Sequence, residues 1–254
     1  MRRIVVTGAS AGIGAALARH YATPDSVIGL VARRAEPMRA LAARLPGRFE
    51  IYPIDIADTA ALEHTAREFC DRHGAPDLVI ANAGISVGTR GDDGADIAKL
   101  RRVLDVNVIA LAATLAAFAP SMRAAGTGTL CGIASVAGFR GIPGAGAYSA
   151  SKSAAIKWLE ALRVELAGSG ISVVTICPGY IDTPMTRVNR YRMPFLLGVD
   201  DAASRIARAI AGRRRLAVIP WQMALFSYAW RALPPWLYDR LTARAPRKPR
   251  DLPL

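Results

Sequence analysis

The chain has 254 residues, 52 % of them hydrophobic, and a formal charge of +13 at pH 7 from 33 Lys+Arg against 20 Asp+Glu. That length admits one α/β unit with a large core, and the apolar share suits a parallel sheet covered on both faces. Cys70, Cys131 and Cys177 are odd in number and widely spaced, which argues against a disulfide framework; no unbroken apolar run reaches the ~18 residues of a membrane span, and no secretory leader precedes the first strand, so the chain is expected in the cytoplasm.

Ile4-Val5-Val6 is a short β-branched run, the mark of a buried strand, predicted over 3–7. It enters Thr7-Gly8-Ala9-Ser10-Ala11-Gly12-Ile13-Gly14 and then a helix-forming stretch, 11–21. Strand, glycine-rich turn and helix make a dinucleotide-binding opening. The glycines let backbone N–H groups approach a pyrophosphate, which sits at the positive end of the helix. A second strand, 26–32, ends in Arg33-Arg34, with no acid until Glu36. An acid there binds a ribose 2′-hydroxyl, whereas a guanidinium suits a 2′-phosphate. The pair therefore favours NADP(H), with Arg33 the first candidate and Arg34 assisting; NAD(H) is the alternative.

Further strands are predicted over 49–53, 78–81, 128–133, 171–177 and 216–219. Helices are predicted over 38–45, 59–73, 95–124, 148–167 and 200–212. Strict alternation predicts a doubly wound parallel sheet with right-handed crossovers. The expected architecture is α/β: a single Rossmann-type domain over 1–254, seven parallel strands and a helical C-terminal extension. Ligands of such sheets bind beyond the carboxyl ends of the strands. His20, His64 and His73 show no metal-ligand spacing.

Tyr148 and Lys152 open the helix over 148–167. Four residues are close to one turn, so both side chains share a face. A free tyrosine, with a pKa of about 10, is a poor acid–base catalyst at neutral pH. A nearby ammonium favours the phenolate and pulls that value toward working pH.

Taken together these segments resemble the short-chain dehydrogenase/reductase family. Thr7-Gly8-x3-Gly12-x-Gly14 matches its cofactor turn, Asn82-Ala83-Gly84 its N-A-G segment, and Pro178-Gly179-Tyr180-Ile181-Asp182-Thr183 its P-G-x-I-x-T segment. Asn107, Ser135, Tyr148 and Lys152 match its catalytic tetrad. The likeness spans roughly residues 1–185. Ala81 stands where many members carry a second asparagine, and the glycine-rich end of many tetrameric members is missing.

The resemblance implies hydride transfer between a nicotinamide and a small carbonyl or alcohol. Tyr148 would be the general acid or base. Lys152 would lower its pKa and hold the nicotinamide ribose. Ser135 would hydrogen-bond the substrate oxygen, and Asn107 would bend its helix and hold a relay water. The cofactor would lie on Gly8, Ser10, Gly12, Ile13, Gly14, Arg33, Arg34, Asn82, Gly84, Pro178, Gly179 and Ile181, with Asp55 at the adenine and Thr183 at the carboxamide. Asn82 would mainly tie strands together. A homodimer or homotetramer is expected. The alternatives are an NAD(H)-dependent dehydrogenase of a lipid, acyl thioester or envelope-polysaccharide precursor, and a nucleotide-binding redox sensor. The intact tetrad argues against the sensor. A sugar epimerase of the extended branch would need Gly-x2-Gly-x2-Gly and a larger substrate domain.

The charge is uneven. Residues 1–186 hold 19 Lys+Arg and 16 Asp+Glu, whereas 187–254 hold 14 and 4. Three of the four tryptophans, Trp221, Trp230 and Trp236, fall in this basic extension (220–254). Tryptophan beside arginine is the composition of a weak peripheral membrane anchor; covering helices with a dimer contact explain it as well. No nucleic-acid recognition motif accompanies the charge. Substrate choice is expected from 138–146 and from the loop 184–198, which carries Arg187, Arg190 and Arg192 beside Met185, Tyr191, Met193 and Phe195.

Overall fold

The computed structural model describes residues 1–189 and 191–252. Seven strands form one sheet: β1 (Arg2–Thr7), β2 (Ser26–Val31), β3 (Arg48–Tyr52), β4 (Leu78–Ala81), β5 (Gly128–Ile133), β6 (Ile171–Pro178) and β7 (Leu216–Ile219). Their order is β3-β2-β1-β4-β5-β6-β7, and every pair is parallel. The chain reverses its direction of winding between β1 and β4, which opens a crevice at their carboxyl ends.

Strand periodicity divides the core. Ile4 and Val6 point to one face, against α1 (Gly12–Tyr21) and α8 (Val199–Ala211). Val5 points to the other, with Phe69 of α3 (Thr59–His73), Leu115 of α5 (Ala110–Ala125) and Leu159 of α6 (Gly146–Glu165). Successive strand residues alternate sides, so a run such as Ile4-Val5-Val6 feeds both cores at once.

Two helices depart from expectation. The second, α2 (Ala35–Ala42), begins three residues before the predicted 38. Pro37 falls in its first turn, where the missing N–H has no helical partner to lose. The predicted helix over 95–124 is a composite: a short 3-10 turn at Gly94–Asp96, α4 (Ile97–Leu104), a π turn at Asp105–Ile109, and α5. Over 18 residues this composite reaches a mean hydropathy of 1.8, long and apolar enough to cross a bilayer, which a search for an unbroken apolar run misses. In the fold, Leu111, Leu115, Phe118 and Met122 of α5 are buried, which accounts for that apolarity.

Beyond β6 come α7 (Pro184–Arg187), inside the predicted substrate loop, then α8. After β7 the extension forms α9 (Trp221–Ala232) and α10 (Pro235–Thr242). Its last stretch returns across the loops after β4 and β5. Gly88 N–H donates to Pro249 C=O at 2.9 Å, Arg250 pairs with Asp93 and Asp96, and Leu252 packs on the small core of Val87, Val103 and Ala147. Arg190 lies outside the described residues.

Candidate active site

A cleft of about 380 Å³ opens at the carboxyl ends of β1, β2, β4, β5 and β6. Gly8, with φ +68°, turns the chain out of β1 under Ala83 and Asn82, and an added Cβ would lie 2.8 Å from either. Gly14 does not line the cleft; its place is behind the turn, where a Cβ would lie 2.6 Å from Asn82 Nδ2. The missing side chain there lets α1 pack against the turn. Ser10, Gly12 and Ile13 line the wall. Asn82 ties β4 to β1: its backbone N–H donates to Thr7 Oγ1 at 3.0 Å and its Nδ2 to Thr7 C=O at 2.9 Å.

At the β2 end stand Arg33 and Arg34, both exposed. Arg34 Nη2 donates to Ser10 Oγ at 3.3 Å, and Arg33 has no ion-pair partner among the described residues. Asp55 is paired, which the sequence did not indicate. Arg102 of α4 reaches it at 2.7 Å, and its other oxygen accepts from Ala57 N–H at 3.0 Å. Burial acts to raise the Asp55 pKa, but the Ala57 N–H and the Arg102 guanidinium outweigh it and hold the carboxyl below its usual value. Arg102 lines the same cleft and carried no sequence signal, because only the fold brings α4 beside the loop after β3.

At the β5 end stand Ser135, Tyr148 and Lys152, all lining the cleft. Ser135 caps the short turn after β5, accepting from Ala137 N–H at 3.2 Å. Lys152 is buried; its Nζ donates to Ile133 C=O at 2.9 Å and lies 5.8 Å from the centre of the Tyr148 ring. Burial lowers the Lys152 pKa to about 8. Burial raises that of Tyr148, with the Ser135 hydroxyl opposing the rise. The Tyr148–Lys152 spacing predicts a lowered tyrosine pKa, and the structure gives the opposite direction. Desolvation prevails because it acts on both groups and Lys152 is engaged by the Ile133 carbonyl.

Asn107 does not line the cleft, and its place explains the π turn. Its Oδ1 accepts from Ile85 N–H at 2.8 Å, while its Nδ2 donates to Ile85 C=O and to Ser151 Oγ, both at 3.0 Å. An asparagine that competes with the helix ladder finds three partners outside it. The widened turn moves α5 off the α4 register and ties the loop after β4 to α6. Gly84 leaves room for this: a Cβ there would lie 3.1 Å from Asn107 Oδ1 and 3.5 Å from Lys152 Nζ.

Pro178, Gly179, Ile181 and Thr183 form the far wall after β6. Thr183 caps α7 in a reciprocal box with Thr186. Among the described residues of the predicted substrate loop, Pro184, Met185 and Thr186 line the cleft and Tyr191 packs edge-on against Tyr180 of the far-wall segment, whereas none of 138–146 lines it.

The short chain dehydrogenase family model matches residues 2–193. The chain belongs to the short-chain dehydrogenase/reductase family. An uncharacterized oxidoreductase of Myxococcus xanthus is 35 % identical over 96 % of this chain and 97 % of its own length. The ketoacyl reductase HetN of Nostoc is 31 % identical over 86 % of this chain and 78 % of its own. Among solved structures, a short-chain dehydrogenase from Streptomyces avermitilis superposes with a TM-score of 0.81 at 26 % identity, covering 90 % of this chain and 92 % of that one. This short-chain dehydrogenase/reductase is thus an oxidoreductase of hydroxyl and carbonyl carbon that uses a nicotinamide dinucleotide. The residues present fit that group: a glycine cradle a side chain would fill, a cationic and hydroxylic rim at one end, and a buried lysine at the other.

Proposed function

We propose that the enzyme reduces the carbonyl of a small organic substrate, or oxidises the corresponding alcohol, with NADP(H), and that residues 1–254 act as one catalytic unit. The observation that carries this is the placement of two chemically different ends on one cleft. Arg33 follows β2 and Ser135 follows β5, three strand positions apart, or about 14 Å at the usual sheet spacing. That separation suits a dinucleotide lying across the switch point, phosphate-bearing ribose at the arginines.

The reduced nicotinamide supplies the hydride. Tyr148 gives its phenolic proton to the substrate oxygen as that oxygen gains charge. Ser135 donates a hydrogen bond to the same oxygen and stabilises the charge. Lys152, protonated, balances the phenolate left behind and holds ribose hydroxyls. In alcohol oxidation the phenolate takes the hydroxyl proton, and the same groups work in reverse. Asn107 acts at a distance by fixing the loop after β4 against α6, and a relay water beside Lys152 would complete the proton path. Burial keeps the Tyr148 proton on at neutral pH, the form that reduction uses.

Arg33 and Arg34 support NADP(H) over NAD(H), since no acid stands at the end of β2 to receive a 2′-hydroxyl. The ketoacyl reductase relative supports an acyl thioester as one substrate to try. Exposed Ile109 at the end of the π turn and Val164 on α6 would serve a homodimer or homotetramer. The test is a carbonyl and alcohol panel with both cofactors, run on the natural enzyme and on Arg33→Asp. We expect NADPH-dependent turnover, and in the variant a fall of about ten- to a hundredfold in the NADPH/NADH preference, the scale of a lost charge-assisted pair. An unchanged ratio would reject the 2′-phosphate role.

A further inference from the structure

Helix α9 is inverted relative to an ordinary cover helix. A helix packed on a domain turns its apolar stripe inward. Along α9 the buried positions are Met223 and Ser227, four apart on one face. The other side carries Trp221, Leu225 and Tyr228, exposed by 62, 64 and 51 %. Positions 221, 225 and 228 follow the i, i+4, i+7 spacing, so they make one outward stripe. Helix α10 adds Trp236, exposed by 68 %. Single exposed apolar side chains are ordinary on any surface, but an outward stripe on one helix followed by an exposed tryptophan on the next marks a contact site.

The stripe stands on a fixed platform. Arg140 Nη1 donates to the carbonyls of Trp230, Arg231 and Leu233 at 2.8, 3.1 and 2.7 Å, closing the end of α9. The same guanidinium lies 3.9 Å from the centre of the Tyr238 ring, and the Tyr238 hydroxyl donates to Gly141 C=O. Phe139 stacks on Tyr228 at 5.6 Å.

Charge selects the occupant. Residues 221–248, which span both helices, contain five Lys+Arg and one acid, Asp239. Arg231, Arg240 and Arg244, in or just after α9 and α10, are exposed and make no ion pair among the described residues. A second copy packed face to face would gather two such sets of arginines into one desolvated contact. Lipid phosphates would neutralise them, while tryptophan and leucine settle below the headgroups.

We propose that the α9–α10 face docks this enzyme onto an anionic lipid bilayer. The docked helices clasp the segment just after Ser135, and Met223 packs against Gly179 in the cleft wall, so docking brings the catalytic end beside the lipid. The substrate class that follows is an alcohol or carbonyl carried on an apolar chain that partitions into the membrane. This last step rests on the carbonyl–alcohol reading above; the docking does not.

The experiment is co-sedimentation of the purified full chain with phosphatidylcholine vesicles, with and without one-third phosphatidylglycerol, at low and high salt. The expected result is binding to anionic vesicles at low salt, about tenfold or more above neutral vesicles, and weakened by salt. The double variants Trp221→Ser/Trp236→Ser and Arg231→Glu/Arg240→Glu should each lose about tenfold in affinity, with circular dichroism unchanged. No binding at low salt overturns the proposal, as does full binding by the tryptophan variant. Dimers that this variant converts to monomers, without vesicle binding, would reassign the face to self-association. A parallel assay uses a long-chain aldehyde in anionic vesicles and its short water-soluble homologue; only the first should slow in the tryptophan variant. Vesicle binding with no turnover of either aldehyde rejects the substrate class and leaves docking standing. Turnover of the soluble homologue without vesicle binding rejects docking alone.

Discussion

Replacing Tyr148 with phenylalanine removes one oxygen and keeps the ring that packs in the cleft. Loss of a positioned general acid costs about 10²–10⁴ in rate, so Tyr148→Phe should lose turnover on that scale while NADPH fluorescence titration shows near-normal binding. Survival of turnover would reject the assignment. The sign of the pH dependence follows from the same residue. Burial raises the Tyr148 pKa, so the phenol stays protonated through neutral pH. Reduction, which needs that proton, should hold steady there and fall only on the alkaline side. Oxidation, which needs the phenolate, should rise with pH. Opposite slopes in paired pH–rate profiles check this. The tyrosine–lysine spacing made the pair legible from sequence. The direction of their pKa values was not, because burial and the Ile133 carbonyl are products of the fold.

Among the elements, the strands were legible because β-branched runs ending in glycine or proline leave few alternatives; β7, for example, is Leu216–Ile219 as predicted and runs into Pro220. The π turn was not, since asparagine is only mildly disfavoured in a helix and its three partners lie outside the local chain. Asn107→Ala would leave the Ile85 N–H and C=O without partners. The expected cost is about 1–3 kcal/mol per buried group left unpaired. A melting curve should show the loss as about 2–4 °C per kcal/mol for a chain of this size. Activity should fall further than stability, because Lys152 and the loop after β4 lose their common brace. A variant with native melting would show that Asn107 braces nothing. Within the loop 184–198 the first turn, Pro184–Thr186, lines the cleft, Tyr191 packs edge-on against Tyr180, and Phe195 is exposed, a division of roles that composition alone does not reveal. Arg102 leaves no signal in the sequence because its partner is 47 residues away.

Across the whole molecule the two faces of the sheet divide the labour. Helix α1 on one side presents the glycine turn, α6 on the other carries Tyr148 and Lys152, and the switch point brings them together. A doubly wound parallel sheet was readable from the alternation of elements; the return of 243–252 over the loops after β4 and β5 was not, because its anchors are single contacts such as Gly88–Pro249, Arg250 and Leu252. Three arginines, Arg33, Arg34 and Arg102, ring the β2 side of the cleft on a molecule of net charge +13. That ring also governs arrival. An anionic dinucleotide approaching such a surface is drawn inward before any contact forms, and the pull is confined to about 8 Å at physiological ionic strength. Stopped-flow association of NADPH should therefore slow steeply as salt is raised, with dissociation changing far less. Charge reversal at Arg33 should flatten that slope, separating the arginine's part in capture from its part in holding.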